Sequence, residues 1–431
     1  MPNLSSQIKN YAKKNPVRFH MPGHKGVIDP LDVTELFFTD NLYNPDKNLR
    51  IILDLEERVS QIFFANNSIN SGISCGGATL CIQAALLAVL RENNINNKKY
   101  IICARDCHVS FINALALLDI EPVWAYNDEN FCDIFTQNND KNIIAAFLTS
   151  PDYYGNMRDI RKTAQICAKY NAPLIVDNSH GSHLAFYKSG ELHPVNCGAA
   201  ISIDSIHKTL PALTGAALIH ADPKYNIREA IKIFASTSPS FLILRSIEKM
   251  LGFLEASGIA EHSRLLEDII RLKNNAREYF PANYNLADPF RIILNCANSG
   301  EQLYYFLFEH NITCEFYEND RVIIIPSIFN KSSDFDTLAK VLQIFTRENK
   351  MIFAPDKNYN FVKPERALSL SEAIKSPREF IETRAALGKI CADPIFAYPP
   401  GIPVILPGEI ITTEILQIIK NLRDKIYIIG L

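Results

Sequence analysis

The chain has 431 residues, of which 47% are hydrophobic and 21% charged, and its formal net charge is −3. That length calls for a large domain with smaller companions rather than one core, and the near-neutral balance gives no reason to expect a nucleic-acid or membrane partner. No apolar run reaches membrane-spanning length, residues 1–10 lack the apolar core of a secretion signal, and the ten cysteines form no CxxC pair or metal-like array, so a cytoplasmic enzyme with reduced thiols and no metal is expected.

From about residue 50 to 220, strand-like and helix-like runs alternate. Residues 50–65 have helical spacing of apolar side chains, and a strongly helical run at 79–91 follows the small-residue stretch Ser74, Cys75, Gly76, Gly77 and Ala78. Short apolar strands are expected at 100–103, 123–126, 143–148, 173–177, 200–203 and 216–220, with helices at 108–118 and 160–170. Near-continuous apolar strands separated by amphipathic helices indicate a parallel sheet covered on both faces, hence an α/β class. Residues 235–273 read as a long helical connection. A second α+β pattern follows, with strands at 291–296 and 322–325 and helices at 300–310 and 334–347. The prolines of residues 398–408 exclude an internal strand or helix there, so a rigid shaped loop is expected. The expected divisions are an N-terminal segment (1–50), a large domain (51–280), a small α+β domain (281–350) and a C-terminal domain (351–431).

In such a sheet, ligands sit beyond the carboxyl ends of the strands, and four places there stand out. The first is Gly76, Gly77, Ala78 and Thr79 opening a helix, where backbone N–H groups and the helix dipole suit a phosphate. A tight turn is the plainer alternative. The second is Asp177, ending an apolar strand, where a carboxylate can pair with a protonated pyridine nitrogen or simply cap a helix. The loop after it, from Asn178 to His183, is dense in polar groups; His180 and His183 lack a third ligand for a metal. The third is Ser205, His207 and Lys208 just past a strand. A buried lysine there loses its proton readily and becomes a nucleophilic amine, whereas a surface lysine stays solvated. The fourth is His108, placed to stack on an aromatic ring or to cap a helix. Each signal alone is weak, but their order along one α/β domain matches a single cofactor cradle.

The stretch from Asp204 through His207, Lys208 and Thr209 to Gly215 closely resembles the lysine motif of the ornithine/lysine/arginine decarboxylases, which depend on pyridoxal phosphate (PLP) and have fold type I. Phe19 to Gly26 resembles their N-terminal signature. Further matches lie at Phe38–Pro45, at Thr237–Ser240 and at Tyr398–Glu409. The resemblance spans about residues 18–412, and the length is similar to that of the shorter members, which lack an N-terminal regulatory domain. It implies an aspartate-aminotransferase-like large domain with a mainly parallel sheet, plus smaller α+β C-terminal domains. By the same resemblance Lys208 is the Schiff-base lysine, Asp177 pairs with the pyridine nitrogen, His108 stacks on the ring, Ser205 and His207 lie around the phosphate, and His180 sits beneath the cofactor. Lys208, Asp177, His108 and His180 are the implied catalytic residues.

The implied activity is α-decarboxylation of arginine, lysine or ornithine to the amine, as in polyamine biosynthesis, by a homodimer with its active site at the interface. Transamination, elimination and a non-catalytic paralogue stay open as alternatives. Two segments depart from the family. Asn178 and Ser179 stand where Glu and Ala are usual, and Cys75 to Ala78 replace a turn rich in Asn, Ser and Thr, leaving Thr79 and backbone N–H groups for the phosphate. For the substrate's cationic end, Glu315, Glu318 and Asp320 are candidate acids, beside the plainer reading of solvated loop residues.

Overall fold

The computed structural model describes residues 4–33, 51–64, 68–93, 98–126, 131–280, 288–296, 298–348, 363–397 and 402–430, with residues 348 and 402 by their backbone alone. The match at Phe38–Pro45 and the four positions 398–401 lie outside the described residues. Helices α1 (Leu4–Lys13) and α2 (Ile51–Phe64) precede a sheet of seven strands. These are β1 (Asn70–Ser74), β2 (Lys99–Ala104), β3 (Ile120–Ala125), β4 (Ile143–Thr149), β5 (Leu174–Asp177), β6 (Ile201–Asp204) and β7 (Ala217–Ala221), in the order β1-β7-β6-β5-β4-β2-β3. Between them run α3 (Gly77–Arg91), α4 (Val109–Leu118), α5 (Phe131–Gln137), α6 (Ile160–Lys169) and the single turn α7 (Ile206–Thr209).

The strands are apolar throughout because both faces are covered. Along β2, Ile101 and Cys103 point into the layer formed with α3 and α4, while Ile102 and Ala104 point into the layer formed with α5 and α6. Helix α3 is apolar nearly all round, with Leu80, Ile82, Leu86 and Val89 buried, as a helix sandwiched between the sheet and α8 (Ile227–Phe234) must be. Truncating Leu86 to Ala in such a core would cost about 2–5 kcal/mol.

The expected strands are all present, but the sheet is mixed. Strand β7 runs antiparallel to both β6 and β1, and β1 was not foreseen. Its sequence, Asn-Ser-Gly-Ile-Ser, is too polar to read as a buried strand; Ser71 is accommodated by hydrogen bonds to Ser60 and His220.

The expected connection at 235–273 is also broken. Ser240 accepts from the Ile243 backbone N–H and starts a new helix, α9 (Phe241–Phe253), and a π-turn over Leu254–Gly258 joins it to α10 (Ile259–Asn275).

Strands β8 (Ile292–Asn295), β9 (Phe316–Tyr317) and β10 (Arg321–Ile324) form a separate antiparallel sheet backed by α11 (Gly300–Glu309) and α12 (Ser332–Glu348). Beyond it lie α13 (Leu370–Lys375), β11 (Arg378–Glu382), β12 (Ile395–Ala397), β13 (Ile402–Ile405), α14 (Thr413–Ile419) and β14 (Lys425–Ile429), the strands pairing as two ribbons. The proline-dense run is therefore not all loop. Pro403 sits in β13, and the ribbon tolerates it because a two-stranded sheet has only edges.

Candidate active site

The carboxyl ends of β4, β5 and β6 and the N-terminus of α3 surround a cavity of about 680 Å³. Gly77, Ala78, Thr79, His108, Asp177, His180, Ser205, His207 and Lys208 all line it. Residues drawn from four separate stretches of chain thus meet as the strand-end rule anticipates.

Gly76 does not line the cavity; its N–H donates to Ser74 Oγ at 3.0 Å. Gly77, at φ +71°, turns the chain into α3 and donates its N–H to Gly215 O at 2.9 Å. No side chain caps this helix, so the donors left for an anion are those of the first turn from Ala78 onward. The Cys75 thiol, where the family turn has a polar residue, faces Ser240 O instead.

Asp177 ends β5 and is 3% exposed. Its Oδ1 accepts from both the backbone N–H and the hydroxyl of Ser179. The unexpected hydroxyl therefore braces the carboxylate. The neighbouring Asn178, fully buried, donates its side-chain N–H to Asp204 Oδ1 at 3.0 Å. The amide thus gives Asp204 a donor that a carboxylate at this position would not. Burial pushes the Asp204 carboxyl up, but His193, His220 and Asn178 outweigh it and hold it below its usual value.

His108 is the N-cap of α4. Its Nδ1 accepts from the Ser110 backbone N–H at 3.2 Å, which leaves the ring hydrogen on Nε2. Burial lowers its pKa, against the pull of Asp177. His207 Nδ1 lies 3.1 Å from Ala216 O and 3.4 Å from Ser205 Oγ. The Lys208 Nζ stands 3.1 Å from His180 Nε2 and opens into the cavity, and by surface area the side chain is exposed there. Burial lowers the lysine's pKa, Asp177 opposes the fall and Arg291 adds to it.

His180 and His183 diverge. His183 Nε2 bonds Asp288 Oδ1 at 2.9 Å and ties the loop to the approach of β8. The three candidate acids separate too. Glu315 lines the cavity and accepts from Tyr153 OH at 3.1 Å, whereas Glu318 and Asp320 pair with Arg321.

Several residues of the wall were not singled out from sequence. Thr149 ends β4, and its buried hydroxyl has no partner among the described residues; the strand-end rule could have found it. Tyr153 and Asp152 carry no local signal, because they reach the wall from the loop after β4, and Arg291, just before β8, stands behind His180 without lining the cavity. The N-terminal signature lies elsewhere. No residue from Phe19 to Gly26 lines the cavity, and Phe19 is 93% exposed.

Residues 2–310 match the family model described as Orn/Lys/Arg decarboxylase, major domain, and residues 347–426 match the model of that family's C-terminal domain. An uncharacterized protein of Bacillus subtilis is 27% identical over 97% of this chain and 94% of its own length. The arginine decarboxylase of Bacillus subtilis is 24% identical over 97% of this chain and 93% of its own. Among solved structures, the lysine decarboxylase LdcF of Francisella novicida superposes with a TM-score of 0.80 at 17% identity, covering 100% of this chain and 81% of that one, a likeness of fold.

Proposed function

The chain belongs to the Orn/Lys/Arg decarboxylase family, and on that premise we propose that it holds PLP in the cavity around Lys208 and removes the α-carboxylate of a basic amino acid. The observation that carries this reading is the convergence of Lys208, Asp177, His108 and the uncapped start of α3 on one cavity.

The residues fit that group. The first-turn N–H groups of α3 and the hydroxyls of Thr79 and Ser205 offer donors to a phosphate. Asp177 offers a buried, braced carboxylate to a protonated ring nitrogen, and Lys208 offers the amine. When bound, PLP supplies the electron sink that accepts the pair left at Cα as carbon dioxide departs.

The chain's own residues do the rest. Asp177 would hold a proton on the cofactor's ring nitrogen by its charge. His108 presents a neutral imidazole with its hydrogen on Nε2, able to hold a proton within the cavity. Lys208 and His180 form a second proton-holding pair at 3.1 Å. Glu315, steadied by Tyr153, faces the cavity as the acid for the substrate's distal cation.

A homodimer is part of the proposal. The strongly exposed Phe19, Val27 and Ile28 support it as apolar surface suited to burial against a second copy.

Purified chain loaded with PLP is to be incubated with carboxyl-labelled arginine, lysine and ornithine in turn. Release of labelled carbon dioxide from one of them is expected; release from none overturns the reading.

A further inference from the structure

Arg291 immediately precedes β8, is 4% exposed and does not line the cavity. Its Nε and Nη1 are shut off from solvent and have no hydrogen-bond partner among the described residues. Its Nη2 lies 3.5 Å from Nδ1 of His180, and Nε2 of the same ring lies 3.1 Å from Lys208 Nζ. The guanidinium therefore cannot meet a substrate with those sealed donors, but it can act on Lys208 through the imidazole between them.

The donor-only guanidinium, although its contact is the longer of the two, favours one arrangement of the three groups. A guanidinium has only donors, so His180 Nδ1 must accept. A neutral imidazole that accepts at Nδ1 carries its hydrogen on Nε2. A hydrogen on Nε2 directed at Nζ requires a lone pair there, which only the uncharged amine has. The other tautomer and the imidazolium would each set N–H against N–H at Nδ1. Tyr153 packs its ring edge-to-face with His180 at 5.6 Å and resists the ring flip that would exchange the two nitrogens.

For His180 the electrostatics run the same way, and for Lys208 burial and Arg291 do so against the pull of two acids. Burial, then Lys208, Arg291 and His108, hold the His180 imidazole well below its ordinary pKa. The groups acting on Lys208 are Asp177 and Glu315, which favour its charge, and Arg291, which opposes it.

We propose that Arg291 is a positioning residue that fixes His180 as its Nε2–H tautomer and so presents Lys208 as an uncharged amine ready to capture an aldehyde cofactor. Capture forms a C=N bond and releases the aldehyde oxygen with both amine hydrogens as water, so it needs the lone pair and no further reactant. The inference rests on Lys208 being the cofactor-holding lysine and adds how its amine is kept reactive.

Two readouts test it, neither of which depends on decarboxylation. The full chain, labelled with ¹⁵N-histidine, gives ring-nitrogen spectra in which His180 is identified by its loss in His180→Gln. Near neutral pH the account expects a neutral ring protonated at Nε2. Arg291→Lys keeps that pattern, and Arg291→Gln mixes the tautomers, because an amide can also accept. An Nδ1–H ring or an imidazolium in the unaltered chain overturns the proposal, even if the Gln variant fails to fold.

The second readout is capture of PLP, trapped by borohydride, as a function of pH. In Arg291→Gln the midpoint should move up by about one unit, which is roughly tenfold less capture at neutral pH. A midpoint that stays in place while the total yield falls assigns Arg291 a merely structural role and overturns the proposal. Failure of carbon dioxide release with both readouts intact would count against the decarboxylase reading alone.

Discussion

Arg105 and Glu409, 304 positions apart, form a two-pronged ion pair at 2.7 and 2.8 Å with both side chains nearly sealed from solvent. Arg105 follows β2 three residues before His108, and Trp124 covers its guanidinium at 4.9 Å. Glu409 also accepts from the Leu406 backbone N–H. The pair joins the C-terminal segment to the wall of the cavity. Glu409→Ala leaves a buried guanidinium uncompensated and should cost about 3–5 kcal/mol of stability. Denaturant unfolding of the variant beside the parent chain measures it, and a loss below about 1 kcal/mol would show that the pair is not a structural tie.

Asp177→Asn keeps the size of the side chain and its acceptor toward Ser179 but removes the charge. PLP binding through Lys208 should persist, while kcat should fall by about a hundredfold or more, as when one preorganised charge partner is lost. Visible absorbance of the bound cofactor and the rate of carbon dioxide release check the two halves separately.

Glu315→Gln tests the acid proposed for the substrate's cation. Loss of one charge-assisted contact of about 1.5–3 kcal/mol should raise KM for the basic amino acid by roughly tenfold to a hundredfold, with a smaller change in kcat. An unchanged KM would move that role to another acid.

His262 predicts a response to acid. It is 2% exposed, its Nδ1 lies 2.7 Å from Gly258 O, and burial lowers its pKa from 6.5 to about 4. Between those values the unfolded chain binds the proton and the folded chain does not. This group's share of stability is therefore present above about pH 6.5 and is lost as pH falls through 4. The full loss is roughly 3 kcal/mol. In His262→Phe, which keeps an aromatic ring against Phe186, that part of the acid sensitivity should vanish from unfolding curves taken across the window.

The strands and the cradle were readable from sequence because each rests on local pattern. Runs such as residues 143–148 are apolar on both faces, and Asp177 and Lys208 follow their strands directly. Strand β1 escaped because its polar residues are satisfied by partners far away, Ser71 by His220 across 149 positions. The break at Ser240 is a capping event inside an otherwise helical pattern. Arg291 and Tyr153 reach His180 from chain distances that no spacing rule encodes. What Asn178 and Ser179 touch, Asp204 and Asp177, became visible only in the fold. Among the three candidate acids, sequence could not separate Glu315 from Glu318 and Asp320, since the difference lies in where Arg321 folds back.

Whether Lys208 holds the cofactor can be read from a trapped adduct. The full chain is incubated with PLP, reduced with borohydride, digested and mapped by mass spectrometry. A stable pyridoxyl adduct is expected on Lys208 and should disappear in Lys208→Ala together with the visible absorbance. An adduct on another lysine, or none at all, would contradict that assignment.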